Sequence, residues 1–229
     1  LGHTFFPIIP EYSSVCTIGG MCAINSTGIY ERRFGRMSNW VEKVEMIDGQ
    51  GRLKTYGKEV VGTEGILGLI TGLTLKVTNK IIERSMNIMK FQDIEDVVYQ
   101  LEQLQFHKQI LAIEYIGISA AVLCGLEAKH YLVVEYDGLE GDITNYEEIL
   151  RIQTIRKNIF HHLAEKGFIY REDPFVPLEH FADLIYWLDN KGVPSFGSIG
   201  SGYVFPCFDD RKDLKEFYEY LKSIDGTLG

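Results

Sequence analysis

The chain has 229 residues, of which 45% are hydrophobic and 24% charged, and a formal net charge of −9. This is an ordinary soluble globular composition, long enough for one large domain or two modest ones. The acidic balance excludes a nucleic-acid surface, whose phosphates need a basic face. No apolar run is long enough to span a bilayer, and no basic segment followed by an apolar one marks a signal peptide. The cysteines Cys16, Cys22, Cys124 and Cys207 lie scattered among apolar residues, without zinc spacing or the density of a disulfide scaffold. They read as buried thiols in a reducing cytosol, so a cytoplasmic protein is expected.

The chain opens on Leu1 and runs at once into Phe5, Phe6, Pro7, Ile8, Ile9 and Pro10. Domain ends are usually polar, so this start reads as cut from a longer chain, with an exposed apolar edge that needs a protein partner or a second copy. Residues 224–229 likewise lack a polar tail. Up to about residue 35 the sequence is glycine-rich, weakly periodic and poor in helix formers. Trp40 to Asp48 alternates as a strand, Asp48-Gly49-Gln50-Gly51 reads as a hairpin turn, and Leu53 to Tyr56 as the return. A second glycine cluster runs from Gly62 to Gly72, and Thr74 to Thr78 predicts a strand.

The texture changes after Asn79, which places a domain boundary near residues 79–86. Met86–Phe91 predicts a strand, and Asp93 an N-cap for an amphipathic helix through Gln103. Strands are expected at Ile110–Ile118 and Tyr131–Tyr136. Thr144 is expected to cap a long helix ended by Gly167, with an apolar stripe of Ile149, Ile152, Ile155, Ile159 and Phe160. Pro177 opens a further helix through Leu188, Tyr203–Phe208 is a strand, and Asp209 or Asp210 starts a last helix to Leu221. The second part is thus α+β, with strand–helix–strand–strand–helix and additions, close to the ferredoxin-like arrangement.

Two glycine segments carry the chemistry. In Thr17-Ile18-Gly19-Gly20, adjacent glycines let backbone amides approach an anion that side chains would block. Asn25 can donate a further hydrogen bond, and Gly28 allows a tight reversal. In Gly62-Thr63-Glu64-Gly65-Ile66-Leu67-Gly68, a lone Glu among glycines and apolar residues is either solvated or bonded to amides or a ligand hydroxyl.

Taken in order, Pro10, Thr17-Ile18-Gly19-Gly20, Asn25 and Gly28, then Arg33-Phe34-Gly35, then Gly62-Thr63-Glu64-Gly65 and Gly68, resemble a flavin-binding domain. The domain is the second half of the FAD-binding domain of the vanillyl-alcohol oxidase and p-cresol methylhydroxylase superfamily. The branch most resembled is that of D-lactate dehydrogenase and glycolate oxidase. The resemblance implies an FAD-binding half-domain over residues 1–80 and an FAD-linked oxidase C-terminal, or cap, domain over 81–229. It implies cofactor contacts at Pro10, Glu11, Thr17, Ile18, Gly19, Gly20, Asn25, Gly28, Gly62, Glu64, Gly65, Leu67, Gly68 and Ile70. The family's Pro-Arg-Gly-Gly-Gly-Thr-type phosphate loop has no counterpart in this sequence.

The second part resembles the cap domain more loosely. Ala112-Ile113-Glu114 is similar to the family's Ala-x-Glu strand, and Arg156 falls where a Trp-x-x-Arg motif supplies an arginine for the substrate carboxylate, with Gln153 at the Trp position. The other reading of Arg156 is a solvated helix arginine. Asp173 to Leu178 resembles the Asp-x-x-Val-Pro-Leu segment. Where the family reads Gly-His-x-Gly-Asp-Gly-Asn-x-His-Pro, this chain reads Gly197-Ser198-Ile199-Gly200-Ser201-Gly202-Tyr203-Val204-Phe205-Pro206. The glycines stay and the ligating side chains go, so no metal is expected there. His161 and Glu165 read as a surface pair.

Arg156, Tyr203 and Ser201 are the residues left to orient a small-molecule substrate. The resemblance implies oxidation of a 2-hydroxy acid or related alcohol by hydride transfer to FAD. The altered segment leaves open a non-catalytic FAD-binding or structural subunit of a multi-subunit oxidase, or a remnant that binds nothing.

Overall fold

In the computed structural model, which describes residues 2–10 and 13–228, the chain divides between Ile82 and Glu83 into two units. The first contains β1 (Thr4–Phe5), α1 (Ile18–Ala23), α2 (Glu31–Phe34), β2 (Val41–Ile47), β3 (Leu53–Tyr56), β4 (Leu69–Leu75) and β5 (Thr78–Asn79). The expected hairpin forms, and β2 lies between β3 and β4 with both pairings antiparallel. A bulge between Val41 and Lys43 lets Val41 and Val44 share the buried face despite their odd spacing. Asp48 closes the turn by accepting from the amides of Gln50 and Arg52 at 2.9 and 3.0 Å. These bonds, with the cations of Lys54 and Arg52, hold its carboxyl well below the usual range. Ile8, Met21, Cys22, Met37, Val41, Val44, Met46 and Val60 make the core.

Three expectations for this unit are corrected. The glycine-rich start carries two helices, because Thr17 caps α1 and Met21 and Cys22 turn into the core, which outweighs the low helix propensity of the glycines. The strand expected over Thr74 to Thr78 lies instead at Leu69–Leu75, and Lys76 and Val77 separate it from β5. The apolar start is not an exposed edge. Pro7 and Ile8 are buried, and Phe5 packs edge-on to Phe34 with centroids 5.8 Å apart.

The second unit contains β6 (Arg84–Phe91), α3 (Ile94–Leu104), β7 (Ile110–Ile116), α4 (Ile118–Leu123), β8 (His130–Asp137) and α5 (Tyr146–Glu165). There follow β9 (Tyr170–Arg171), β10 (Pro174–Phe175), α6 (Phe181–Asn190), β11 (Ser195–Gly197), β12 (Phe205–Phe208), α7 (Lys212–Ser223) and β13 (Thr227–Leu228). A six-stranded sheet has the order β6-β8-β7-β11-β12-β9, each neighbouring pair antiparallel. Its first three strands stand in the first–third–second order of a ferredoxin-like unit, and the additions extend it past β7.

Both faces of this sheet are covered, which is why β7 and most of β8 are buried along their length. Ile113, Tyr115, Leu132, Val134 and Phe208 pack with residues of α3, α6 and α7 on one face. On the other, Ile116, Tyr131 and Cys207 pack with Ile159 and Leu163 of α5, and Met86 and Val133 with Ile149 and Ile152.

Several boundaries shift. Asp93 precedes α3 without a side-chain cap bond. Asn145 rather than Thr144 caps α5, accepting from the Glu148 amide at 3.0 Å. Ile155 is exposed, because the buried face of α5 centres on Ile152, Gln153, Arg156 and Ile159. The strand from Ile110 ends at Ile116, and Gly117 leads into α4. After Pro177 a single 3-10 turn precedes α6, and the expected strand at Tyr203 begins at Phe205. Cys16 is exposed, whereas Cys22 and Cys207 are buried.

Candidate functional site

In the first unit the two glycine segments meet. The Gly62 amide donates to the Cys22 carbonyl at 3.0 Å, and the Glu64 amide to the Ala23 carbonyl at 2.8 Å. The second segment is therefore fastened to the C-terminal end of α1, and Ile70 lies beside Gly19. Thr17, at the start of α1, accepts from the Gly20 amide through its hydroxyl at 3.1 Å. Pro10, Asn25 and Ile70 are half-buried, and Ile18, Leu67 and Glu64 are exposed. Glu11 lies outside the described residues.

The glycines sort by what a side chain would meet. A Cβ on Gly28 would sit 2.6 Å from the Ile9 amide, and one on Gly68 would run into the Ile47 carbonyl. The chain's own backbone explains both. Gly28 is thus required by a close approach rather than by a reversal. A Cβ on Gly19 would meet only the Ile70 side chain at 3.8 Å, and one on Gly65 nothing within 4 Å. Gly65 takes φ 80°, which by itself favours glycine, whereas neither packing nor backbone conformation demands glycine at position 19. Asn25 does not offer its side-chain oxygen outward: it accepts from the Ser38 amide at 2.9 Å. Glu64 stands in the left-handed region, with φ 52°, on the exposed turn.

The second unit brings its predicted residues to the α5-facing side of the sheet. Arg156 is not a solvated helix arginine. Its Nη1 lies 2.7 Å from Glu114 Oε1, with side-chain exposures of 13% and 9%. The Ser198 hydroxyl donates to the same oxygen at 2.8 Å. The Ser198 carbonyl in turn accepts from the amides of Ser201 and Tyr203 at 2.9 and 3.2 Å. Gly202, between them, takes φ 86°. Arg156, Glu114 and Ser198 are thus joined through their side chains, and Ser201 and Tyr203 are tied to Ser198 through their backbone amides. Tyr203 stacks on Phe205, and Phe205 lies 5.7 Å from Phe196, so aromatic rings border them.

A second carboxylate on this face was not expected. Glu135 accepts from Gln153 Nε2 at 3.0 and 3.1 Å and pairs with Arg84 at 3.3 Å. Its signal was present: one Glu stands in each apolar strand, Ile-Leu-Ala-Ile-Glu114-Tyr-Ile and Tyr-Leu-Val-Val-Glu135-Tyr, and a buried carboxylate requires partners. The opposite face holds another polar string without such a signal. Tyr115 Oη is hydrogen-bonded to His130 Nδ1 at 2.9 Å, and His130 Nε2 lies 4.0 Å from Asp189. Burial pushes the His130 pKa down and that of Asp189 up to about 6. His161 and Glu165 form the expected exposed pair at 3.2 Å. Among the described residues no three His, Cys, Asp or Glu side chains are grouped as metal ligands, and no helix is long and apolar enough to cross a membrane.

The fold is shared with a solved synthase structure. Alkyldihydroxyacetonephosphate synthase superimposes with a TM-score of 0.67 at 11% identity, over 99% of this chain and 56% of that one. No family model matches the chain. Its sequence is similar, at 22–25% identity, to several curated dehydrogenases and an oxidase subunit. D-lactate dehydrogenase from Archaeoglobus fulgidus is 25% identical over 123 residues, 48% of this chain and 28% of that protein. Glycolate oxidase subunit GlcD from Bacillus subtilis is 24% identical over 98% of this chain and 61% of its own length. D-2-hydroxyglutarate dehydrogenase from Stutzerimonas stutzeri is 22% identical over 51% of this chain and 28% of its own. The chain spans less than two thirds of the length of each of these relatives.

Proposed function

We propose that this chain is the flavin- and substrate-contacting part of an FAD-dependent oxidoreductase acting on CH–OH donors, a 2-hydroxy acid or a related alcohol. Residues 1–80 are assigned to the FAD-binding domain and residues 81–229 to the cap. The observation that carries the reading is the fastening of Gly62–Glu64 to the end of the Thr17-capped helix. It unites the two segments that the resemblance assigns to one cofactor. FAD, when bound, supplies the hydride acceptor.

Gly19, Gly20 and Gly65 would bring backbone close to the cofactor, with Thr17, Ile18, Leu67 and Ile70 beside them. Pro10, Asn25, Gly28, Gly62, Glu64 and Gly68 would shape the surrounding chain, and Glu11 is assigned by the resemblance alone. Arg156, Ser201 and Tyr203 would orient the substrate. The four cysteines are unpaired, in keeping with a reducing compartment, and we place the protein in the cytoplasm. A visible absorption spectrum of the purified chain, with and without added FAD, tests the reading. A bound-flavin spectrum supports it, and a protein that takes up no flavin overturns it.

A second reading has its own support. Ser198, Ser201, Tyr203 and Phe205 replace the family's ligating residues, and Arg156 already holds a carboxylate. These features suit a non-catalytic, FAD-binding or structural subunit that works with a protein partner or a second copy. Flavin that binds but is reduced by no hydroxy acid or alcohol would favour this reading.

A further inference from the structure

Arg171 stands in β9, the edge strand of the six-stranded sheet, opposite Cys207 of β12. Cys207 packs toward α5, so Arg171 shares that face. Its guanidinium carbon lies 5.1 Å from the centre of the Phe160 ring and 5.0 Å from that of Phe205. Arg84 and Arg156 on this face each meet a buried carboxylate. Among the described residues no carboxylate pairs with Arg171. Glu172, the next residue, points to the other face and meets the Tyr218 hydroxyl. Arg171 is exposed, so an anion reaches it from solvent. Phe160 and Phe205, with Phe196 and Tyr203 packed on Phe205, are half-buried and keep part of their surface open. We propose that Arg171 receives the carboxylate of a 2-hydroxy acid, and that the rings of Phe160 and Phe205, continued by Tyr203 and Phe196, receive an apolar or aromatic body on the same molecule. The inference deepens the oxidoreductase reading above and rests on it.

An aromatic ring attracts a guanidinium through its charge and leaves the N–H groups free for a hydrogen-bond acceptor. The two rings come from different elements, α5 and β12, so they limit where the guanidinium can stand before any ligand arrives. Less side-chain freedom is then lost on binding, and the planar fork can take both oxygens of one carboxylate. Apolar rings on its flanks also exclude water, which strengthens an ion pair. A small hydroxy acid uses the cation alone, whereas one with a larger apolar body adds contact with the rings. Phe205 stands where the related motif has a histidine, so that ring surface is this chain's own departure. Arg171 is therefore a specificity-determining residue, and a 2-hydroxy acid with an aromatic or bulky aliphatic substituent is the substrate class that fits.

Isothermal titration of the whole chain, with and without added FAD, tests the site with D-mandelate, D-lactate and neutral mandelamide as probes. The native protein is expected to bind D-mandelate saturably, D-lactate more weakly and mandelamide not at all. Arg171→Gln is expected to weaken D-mandelate binding by roughly tenfold or more, through loss of a charge-assisted contact. Its melting curve should stay close to the native one, since the side chain is exposed. Arg171→Lys keeps the charge without the fork and should recover only part of the affinity. Phe205→Leu should narrow the margin of D-mandelate over D-lactate and leave D-lactate binding unchanged. A native protein that binds neither acid overturns the proposal, as does Arg171→Gln with undiminished D-mandelate affinity, or equal binding of D-mandelate and mandelamide. Should Arg171→Gln fail to fold, Arg171→Lys carries the test, and native affinity in that variant overturns the proposal. Flavin absorbance of the same samples separates the two readings. Arg171-dependent D-mandelate binding in a protein that takes up no flavin upholds the carboxylate site and rejects the oxidoreductase reading, whereas flavin uptake without D-mandelate binding rejects the carboxylate site alone.

Discussion

Gly19→Ala separates ligand contact from folding. Gly19 lies in α1, where its Cβ would meet only Ile70 Cγ2 and Cβ, at 3.8 and 3.9 Å, which is ordinary van der Waals contact. Alanine is a better helix residue than glycine by about 0.5–1 kcal/mol, so the variant is expected to be more stable without ligand. For a unit of this size ~1 kcal/mol moves the Tm upward by about 4–8 °C. The added methyl stands where the cofactor reading puts an anion against the backbone. Loss of one charge-assisted amide contact costs about 1.5–3 kcal/mol, which is roughly tenfold or more in affinity. Circular-dichroism melts without FAD, and flavin absorbance after equilibrium dialysis, measure the two effects on one sample. A raised Tm with undiminished flavin uptake would refute the assignment of Gly19 to the cofactor contact. Gly20 is a poorer probe, because its Cβ would crowd the Thr17 hydroxyl at 3.0 Å and disturb the cap.

Thr17→Ala removes that cap and is expected to lower the stability of the first unit by about 1 kcal/mol, read by urea denaturation. Phe217→Ala empties a fully buried position between Trp187 and Phe208, and the second unit should lose about 3–5 kcal/mol. Asp189→Asn tests the buried polar string by pH. The folded pKa of Asp189 is raised from 3.8 to about 6, so its protonated form favours the folded state and that stability is lost as pH rises between those values. The full shift corresponds to about 3 kcal/mol. With the side chain 24% exposed, screening reduces this to about 1–2 kcal/mol. The variant should match the native protein near pH 4 and exceed it at pH 7.5, in urea titrations at the two values. An equal difference at both pH values would show that ionisation of Asp189 is not the cause.

Much of the fold was legible because period and turn chemistry agreed. Val41–Ile47, Asp48 and Leu53–Tyr56 form the hairpin their pattern predicts, and the strands at Met86, Ile110 and Tyr131 appear within a few residues of their expected places. The helices at the start were not legible, since Gly19 and Gly20 lower local propensity and only burial of Met21 and Cys22 reverses it. Ile155 misled for a related reason. An isoleucine at helical spacing looks like core, but the face of α5 that meets the sheet carries Gln153 and Arg156, and Ile155 falls outside it. Of the candidate residues, the sequence indicates that two glycine segments act together. It does not indicate that Gly28 and Gly68 are fixed by Ile9 and Ile47, because those contacts are long-range.

The two faces of the cap sheet make different physical demands. The face toward α3, α6 and α7 is a largely apolar layer crossed by the Tyr115–His130–Asp189 string. The face toward α5 sets two carboxylates among aliphatic side chains and then satisfies them with Arg156, Ser198, Arg84 and Gln153. Stability alone does not require this, because well-packed hydrophobic residues of similar volume are as good as a buried ion pair, or better. Glu114 and Glu135 stand two residues apart in register, since Ala112 is the partner of Glu135, and α5 meets them with residues three apart. Strand pleat and helical turn thus bring the two polar groups to the same face. That face also carries Ser198, whose hydroxyl donates to Glu114, so the segment after β11 is tied to the same buried charge.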